Sequence, residues 1–319
     1  MINNKNLENK AKYVLSKHNP KTLEDYTAYS LTAFILCGKS PADKIVKKEE
    51  LEKIPANNKA FLKLGERPMV EYVIKAFLNS NKIKDIYIIN HADEELTFRI
   101  ELEKIIYSSE HRYPRIIRLL SFDDEDLINN IEKTFVESNL KDDEYAIIAS
   151  SDTPMINPKL INDFVKQIYY FQGYDAYVPY TRISMLRAKY PKIKKRSMFE
   201  LLIEENNEKK RDGVRTGNLF ALKKETFIEN KKLMEYLFES RKKGYLAIAN
   251  DIVARLHNKK ASMMFEYGKK LVRKELTIDD LSEIVRQTYD IYAKGILVEP
   301  EFCIDVDRKK DFEEIKNYL

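Results

Sequence analysis

The chemistry-bearing residues of this chain fall into three short stretches. In the first, the apolar run Tyr145–Ala149 is followed by Ser150, Ser151 and Asp152, then by Thr153 and Pro154. Such a run reads as a strand buried in a parallel sheet, and Pro154 stops it because proline has no N–H to give to the ladder. Asp152 is thereby placed just past the carboxyl end of a central strand, the edge of an open α/β sheet where ligands bind. An Asp ahead of Thr-Pro can also simply cap its own turn, which is the competing reading. In the second stretch, the apolar run Leu31–Leu36 leads into Cys37-Gly38-Lys39-Ser40-Pro41-Ala42-Asp43-Lys44. A strand feeding a basic loop with a glycine can cradle phosphate through backbone N–H groups, with Leu36, Cys37, Gly38, Lys39 and Lys44 as the candidate contacts. The alternative is a plain connection with solvated lysines. The third stretch is Thr216-Gly217-Asn218, ahead of the apolar Leu219–Leu222. Gly217 permits a close backbone approach, and Thr216 and Asn218 offer hydrogen bonds.

Other polar clusters read as structural. The acids of Asp123–Asp126 precede an amphipathic stretch and suit the positive end of a helix better than a metal. None of the 4 histidines is spaced from another as a metal ligand would be. Cys37 and Cys303 have no activating His nearby in sequence and read as small buried hydrophobes. The basic run Lys189–Arg196 is a solvated loop or a phosphate contact.

The elements that must position these residues alternate between strand and helix. Pro68 opens a helix with Val70, Val73, Ile74 and Phe77 facing inward, and Asp85–Asn90 is the next strand. That order calls for a parallel pair joined by a right-handed crossover. A strand at Arg115–Leu120, a helix at Leu127–Val136 and a helix started by Asn157 and Pro158 follow, then a strand at Asp175–Tyr180. Residues 223–261 read as mostly helical, and 276–294 as a helix ended by Gly295. Glu301–Asp307 reads as an acid-bearing strand end, with helix after Arg308. Residues 1–29 form an extension whose Leu7, Ala11, Val14, Leu15 and His18 share one helical face, giving a short docking helix or a partner-binding arm. The expectation is one α/β domain over residues 30–319, with a mostly parallel sheet and helices on both faces.

Composition agrees with a globular chain. The 319 residues are 44% hydrophobic and 34% charged, and 56 basic residues against 51 acidic give a net charge of +5. This mixed surface suits phosphorylated small molecules without requiring nucleic acid, for which no aromatic module is present. With two cysteines, no charged-then-apolar leader and no apolar run of about 18 residues, a cytoplasmic protein without a membrane partner is expected.

The run Thr32–Asn90 resembles the opening of the sugar-nucleotide-type nucleotidyltransferases, in particular the molybdenum-cofactor guanylyltransferase-like NTP transferases. Asn58-Lys59-Ala60-Phe61-Leu62 and Gly65-Glu66-Arg67-Pro68-Met69 match that family's second segment. Its first loop usually carries two or three glycines and an arginine, where this chain has Gly38 with Lys39 and Lys44. Ser151-Asp152-Thr153-Pro154 resembles the family's GDxP segment, Thr216-Gly217-Asn218-Leu219 its acceptor-side segment, and Asp305-Val306-Asp307 its closing acidic segment. The resemblance implies a Rossmann-like, GT-A-like domain, with a nucleotide half over about 30–160 and an acceptor half over about 161–319. The implied reaction moves an NMP from a nucleoside triphosphate to a phosphorylated sugar or similar small acceptor and releases pyrophosphate. Lys59 and Asp152 would be catalytic, with Lys59 on the phosphates. Asp152 and Asp307 would hold Mg²⁺, with Asp305 as a further candidate ligand, and Thr216, Gly217 and Asn218 would face the acceptor. A metal-dependent glycosyltransferase using a nucleotide-sugar, and a non-catalytic nucleotide-binding or scaffold protein, are the rival readings. Base, acceptor and oligomeric state are left open.

Overall fold

The computed structural model describes residues 29–38, 41–46, 51–52, 54–108, 116–123, 126–193, 195, 198–205, 208–243 and 261–319. The extension helix expected before residue 29 and the loop residue Lys39 lie outside them.

Near-continuous burial along the first strand, β1 (Leu31–Cys37), marks a sheet covered on both sides. Ala33, Ile35 and Cys37 enter one apolar cluster, while Phe34 enters another. A short hairpin, β2 (Lys63–Leu64) and β3 (Arg67–Pro68), leads into α1 (Met69–Leu78) and then β4 (Ile83–His91). Helix α2 (Glu95–Tyr107), β5 (Ile116–Phe122), α3 (Leu127–Glu137) and β6 (Tyr145–Ser150) complete a parallel array in the order β5-β4-β1-β6. Asp126 caps α3 by accepting from the N–H groups of Ile128 and Asn129, the helix-start role read for the acidic cluster.

Beyond β6 the sheet becomes mixed. Helix α4 (Pro158–Tyr170), capped by Asn157, is followed by β7 (Ala176–Arg182), α5 (Ile183–Lys189), and the hairpin β8 (Phe199–Glu205) and β9 (Glu208–Thr216). Strand β10 (Leu219–Lys223) runs antiparallel between β6 and β7. Helices α6 (Lys224–Glu229), α7 (Lys231–Lys243), α8 (Ala261–Arg273) and α9 (Ile278–Tyr289) precede β11 (Ala293–Leu297), which lies parallel to β7. A 3₁₀ turn at Pro300–Cys303 and α10 (Lys309–Ile315) close the chain. Among the described residues this is a nine-stranded sheet in which β9 and β10 run against the rest. The mostly parallel α/β expectation therefore holds. Helices α1, α2 and α4 feed the Ile35 side, and α3, α6 and α7 the Phe34 side.

Two expectations change. Gly295 does not end the preceding helix. Asp290, in the left-handed region at φ 57°, is the C-cap, and Gly295 sits inside β11, where a Cβ would come within 2.6 Å of Ile278 Cγ1. Nor is Glu301–Asp307 a strand end: the 3₁₀ turn gives way to residues 304–307 without a ladder. Asp305 and Asp307 thus share no strand face. Among the described residues, no helix is long and apolar enough to cross a membrane.

Candidate active site

The loops at the carboxyl ends of β1 and β6 are stitched to each other before any side chain is considered. Ser151 N–H donates to the Leu36 carbonyl at 3.1 Å, so the residues after β6 lie against the end of β1. Within that turn Ser150 Oγ donates to Asp152 Oδ1 at 2.5 Å, and Thr153 Oγ1 donates to the Ser150 carbonyl at 2.9 Å. Asp152 thus takes a hydroxyl of its own turn rather than the backbone N–H that the capping reading required, and its second oxygen is turned elsewhere. The carbonyl of Asp152 also accepts from Val306 N–H at 3.0 Å, which brings the closing acidic segment to the same place.

Lys59 occupies the gap between these segments. It begins the 3₁₀ turn Lys59–Phe61, capped by Asn58, whose Oδ1 accepts from Ala60 N–H at 2.9 Å. The Asn58 amide donates to the Gly38 carbonyl at 3.2 Å and to Glu94 Oε2 at 2.8 Å, joining the loop after β1 to the end of β4. Lys59 Nζ donates to Asp152 Oδ2 at 2.6 Å and to the Val306 carbonyl at 3.2 Å, and stands 3.7 Å from Asp307 Oδ1. One ammonium thereby faces two carboxylates delivered by remote parts of the chain.

The charges around it are uneven. Burial alone would lower the Lys59 pKa, but the charge and hydrogen bond of Asp152, followed by Asp307 and Asp305, raise it above the ordinary lysine value. Partial burial and the charge of Asp305 lift the Asp307 carboxyl above the usual aspartate range, and Lys59 offsets only part of this. With its side chain 56% exposed, Asp307 is the open, under-compensated acid of the pair.

Asp305 is different. It is buried, its Oδ1 accepts from Lys195 Nζ at 2.6 Å, and Arg215 Nη2 lies 3.3 Å from the same oxygen. Although burial works against ionisation, Lys195 and Arg215 hold its carboxyl well below the normal range, with help from the Asn218 amide. Asp305, expected as a further metal ligand, instead has both oxygens facing cations of the chain itself.

The remaining expected contacts divide between surface and interior. Gly38 is exposed and has open space where a Cβ would stand, so packing does not require glycine there. Leu36 and Cys37 point into the sheet's two apolar clusters, leaving only their backbone toward the loop, and burial pushes the Cys37 thiol up to about 12. The backbone of Lys44 ends a 3₁₀ turn at Ala42–Lys44. Gly217 is required by the fold, because a Cβ would meet the Phe302 carbonyl at 2.9 Å and Pro179 Cγ at 3.0 Å. Thr216 Oγ1 lies 3.0 Å from Met198 Sδ, and the Asn218 N–H donates to the Phe302 carbonyl at 3.1 Å. The hydrogen-bonding groups of this stretch are thus engaged with the chain itself. Sequence reasoning missed Asn58 and Glu94, which bridge the loops, and Lys195 and Arg215, which claim Asp305. Lys195 stood in the sequence only as one member of the basic run Lys189–Arg196, with no local signal of its partner.

Among the described residues, no three His, Cys, Asp or Glu side chains gather as a ready-made metal site. Asp307, open to solvent, fits a hard divalent ion that keeps waters and shares phosphate oxygens, since such an ion needs only one or two protein carboxylates, whereas Asp152 would have to give up Lys59 Nζ at 2.6 Å from its Oδ2. The open, under-compensated Asp307 is the observation that favours this fit.

This α/β architecture is shared with a solved protein from Thermus thermophilus described as a hypothetical transferase. The two align at a TM-score of 0.62 and 18% identity, over 89% of this chain and 99% of that one. Two others align over 91% of this chain and 98% of theirs, each at 12% identity. They are a CMP:2-keto-3-deoxy-manno-octonic acid synthetase complexed with CTP, at a TM-score of 0.49, and a 4-diphosphocytidyl-2C-methyl-D-erythritol synthase from Anaerococcus prevotii, at 0.46. No family model matches the chain, and no curated protein matches it.

Proposed function

We propose that this chain is a Mg²⁺-dependent nucleotidyltransferase that moves an NMP from a nucleoside triphosphate to a phosphorylated sugar or similar small acceptor and releases pyrophosphate. The observation that carries this reading is Lys59 held between Asp152 and Asp307 at the carboxyl ends of β1 and β6. An acceptor oxygen attacks the α-phosphorus in line, the bond to the β-phosphate oxygen breaks, and that oxygen leaves with pyrophosphate. Protein groups contribute little covalent chemistry to such a step, which depends on positioning and charge.

Lys59 is placed to meet phosphate oxygens as a compact cation, and Asp152 and Asp307 to hold Mg²⁺. The ion, when bound, neutralises charge on the phosphates. The Gly38 carbonyl is tied to Asn58, the neighbour of Lys59, by the Asn58 amide. The likeness to a hypothetical transferase agrees with this reading. Continuous detection of pyrophosphate with a panel of triphosphates, Mg²⁺ and phosphorylated sugars tests it. Asp152→Asn and Asp307→Asn should each lower release by roughly 10²-fold, the scale of losing a main electrostatic contact. Rates within about threefold of the parent in both variants would remove the acids from the mechanism, and nucleotide binding without any release would leave a binding protein.

A further inference from the structure

Lys195 comes from the basic run Lys189–Arg196, outside the three stretches that suggested the site, and it grips the irregular segment that carries Asp307. Its side chain is 4% exposed. Its ammonium donates to the Asp305 carbonyl at 2.8 Å and to Asp305 Oδ1 at 2.6 Å, and stands 3.1 Å from Asp311 Oδ1. Asp311 Oδ2 in turn accepts from Arg308 N–H at 3.1 Å, closing the first turn of α10. One ammonium from the loop before β8 therefore fixes both ends of residues 305–311. Inside that interval lie Asp307, the Val306 carbonyl that receives Lys59, and the Val306 N–H that donates to Asp152.

The cluster is balanced within itself, Asp305 and Asp311 against Lys195 and Arg215. A buried balanced cluster adds little stability over apolar packing of the same volume, because desolvation offsets the attraction. What it supplies here is placement. A misplacement of about 1 Å in a catalytic arrangement can cost about 10²-fold in rate.

We propose that Lys195 is a positioning residue: by holding the backbone and carboxylate of Asp305 together with Asp311, it sets where Asp307 and the Val306 carbonyl stand relative to Lys59 and Asp152. The kinetic part of the test rests on the nucleotidyl-transfer reading, and the structural part does not. Lys195→Met/Asp311→Asn removes one charge of each sign, leaves Asp305 facing Arg215, and keeps an oxygen for the Arg308 N–H. Lys195→Arg keeps the charge. Hydrogen exchange is followed at residues 304–312 and at β1 and β6, alongside kcat and the triphosphate KM for pyrophosphate release in Mg²⁺.

In the double variant, exchange over 304–312 should rise about tenfold or more while β1 and β6 stay protected, since only a local opening is released. Its kcat should fall by about tenfold to a hundredfold, with the triphosphate KM changed less than about threefold. Lys195→Arg should recover a large part of both. A merely structural lysine would lower the melting temperature but leave kcat of the folded protein unchanged, and that result overturns the proposal. Unchanged exchange over 304–312 overturns it as well. If the double variant does not fold, Asp311→Asn carries the same two readings: a smaller change in the same direction supports the tie, and none refutes it. If the parent protein releases no pyrophosphate with any triphosphate, the functional reading fails alone, and the exchange result still decides the placement.

Discussion

Asp305 and Asp307 are separated by one residue and by nearly opposite surroundings. Asp305 is closed in by Lys195 and Arg215, whereas Asp307 is half open and lifted above its ordinary range by burial and the neighbouring acid charge. Asp307→Asn should accordingly lower pyrophosphate release while leaving the urea midpoint near the parent value. Asp305→Asn should lose stability first, by about 3 kcal/mol, because the buried Lys195 is left with Asp311 and the partly buried Arg215 loses its carboxylate. Urea denaturation read beside the release assay separates the two; a stable Asp305→Asn protein with abolished turnover would return Asp305 to the metal site. Cys37 supplies the other prediction at this scale. Burial pushes its thiol up to about 12, so a thiolate nucleophile is unavailable near neutral pH. Cys37→Ala should keep turnover within about twofold, and loss of the chemistry in a well-folded variant contradicts this.

Individual elements carry their own signals, and these differ in reach. The apolar runs of β1, β4 and β6, the Asn157 cap and the helix after Pro68 were legible because each states its role within a few residues. The hairpin β8–β9 was not, since Glu208-Lys209-Lys210-Arg211 is exposed and has no apolar alternation to report a strand. Strand β11 was hidden behind Gly295, which reads equally as a helix stop and as the residue that lets a strand approach Ile278. Asp152 could be placed at a strand end from pattern alone, but the Lys195–Asp305 pair spans 110 positions and leaves no local mark. Helix α9 yields a test at this scale. Thr277 and Asp280 form a capping box, and Asp280 also receives Lys270 at 2.6 Å. Thr277→Ala should cost about 1 kcal/mol in chemical denaturation. Burial opposes ionisation of Asp280, but Lys270 and Thr277 lower its pKa below the ordinary 3.8. The folded state therefore releases that proton at lower pH than the unfolded state does. The resulting stability is present above about pH 4 and is lost as pH falls through the lowered folded value. Asp280→Asn should flatten this part of the acid limb, and an unchanged limb argues against the pairing.

For the molecule as a whole, the proposed site predicts a response to its own substrate. A triphosphate with Mg²⁺ at about 100 times its Kd should add about 2.7 kcal/mol of stability by mass action. Thermal shifts that stay flat for all four common triphosphates, with and without Mg²⁺, would sink the nucleotide reading. The placement of β10 has a further consequence, one of timing. Strand β6 finds β1 on one side early in the chain, but its other edge waits for residues 219–223, and β7 waits for β11 at residues 293–297. The Val306 carbonyl then reaches Lys59 across 247 positions. Pairings this distant close slowly, and domains emerge from the ribosome amino end first. A nascent chain therefore passes through a stage in which the parallel strands can pair while β6 still offers an open edge to other chains. Throughout that stage Lys59 and Asp152 can meet without Asp307, so the proposed site stays incomplete until the closing segment is in place.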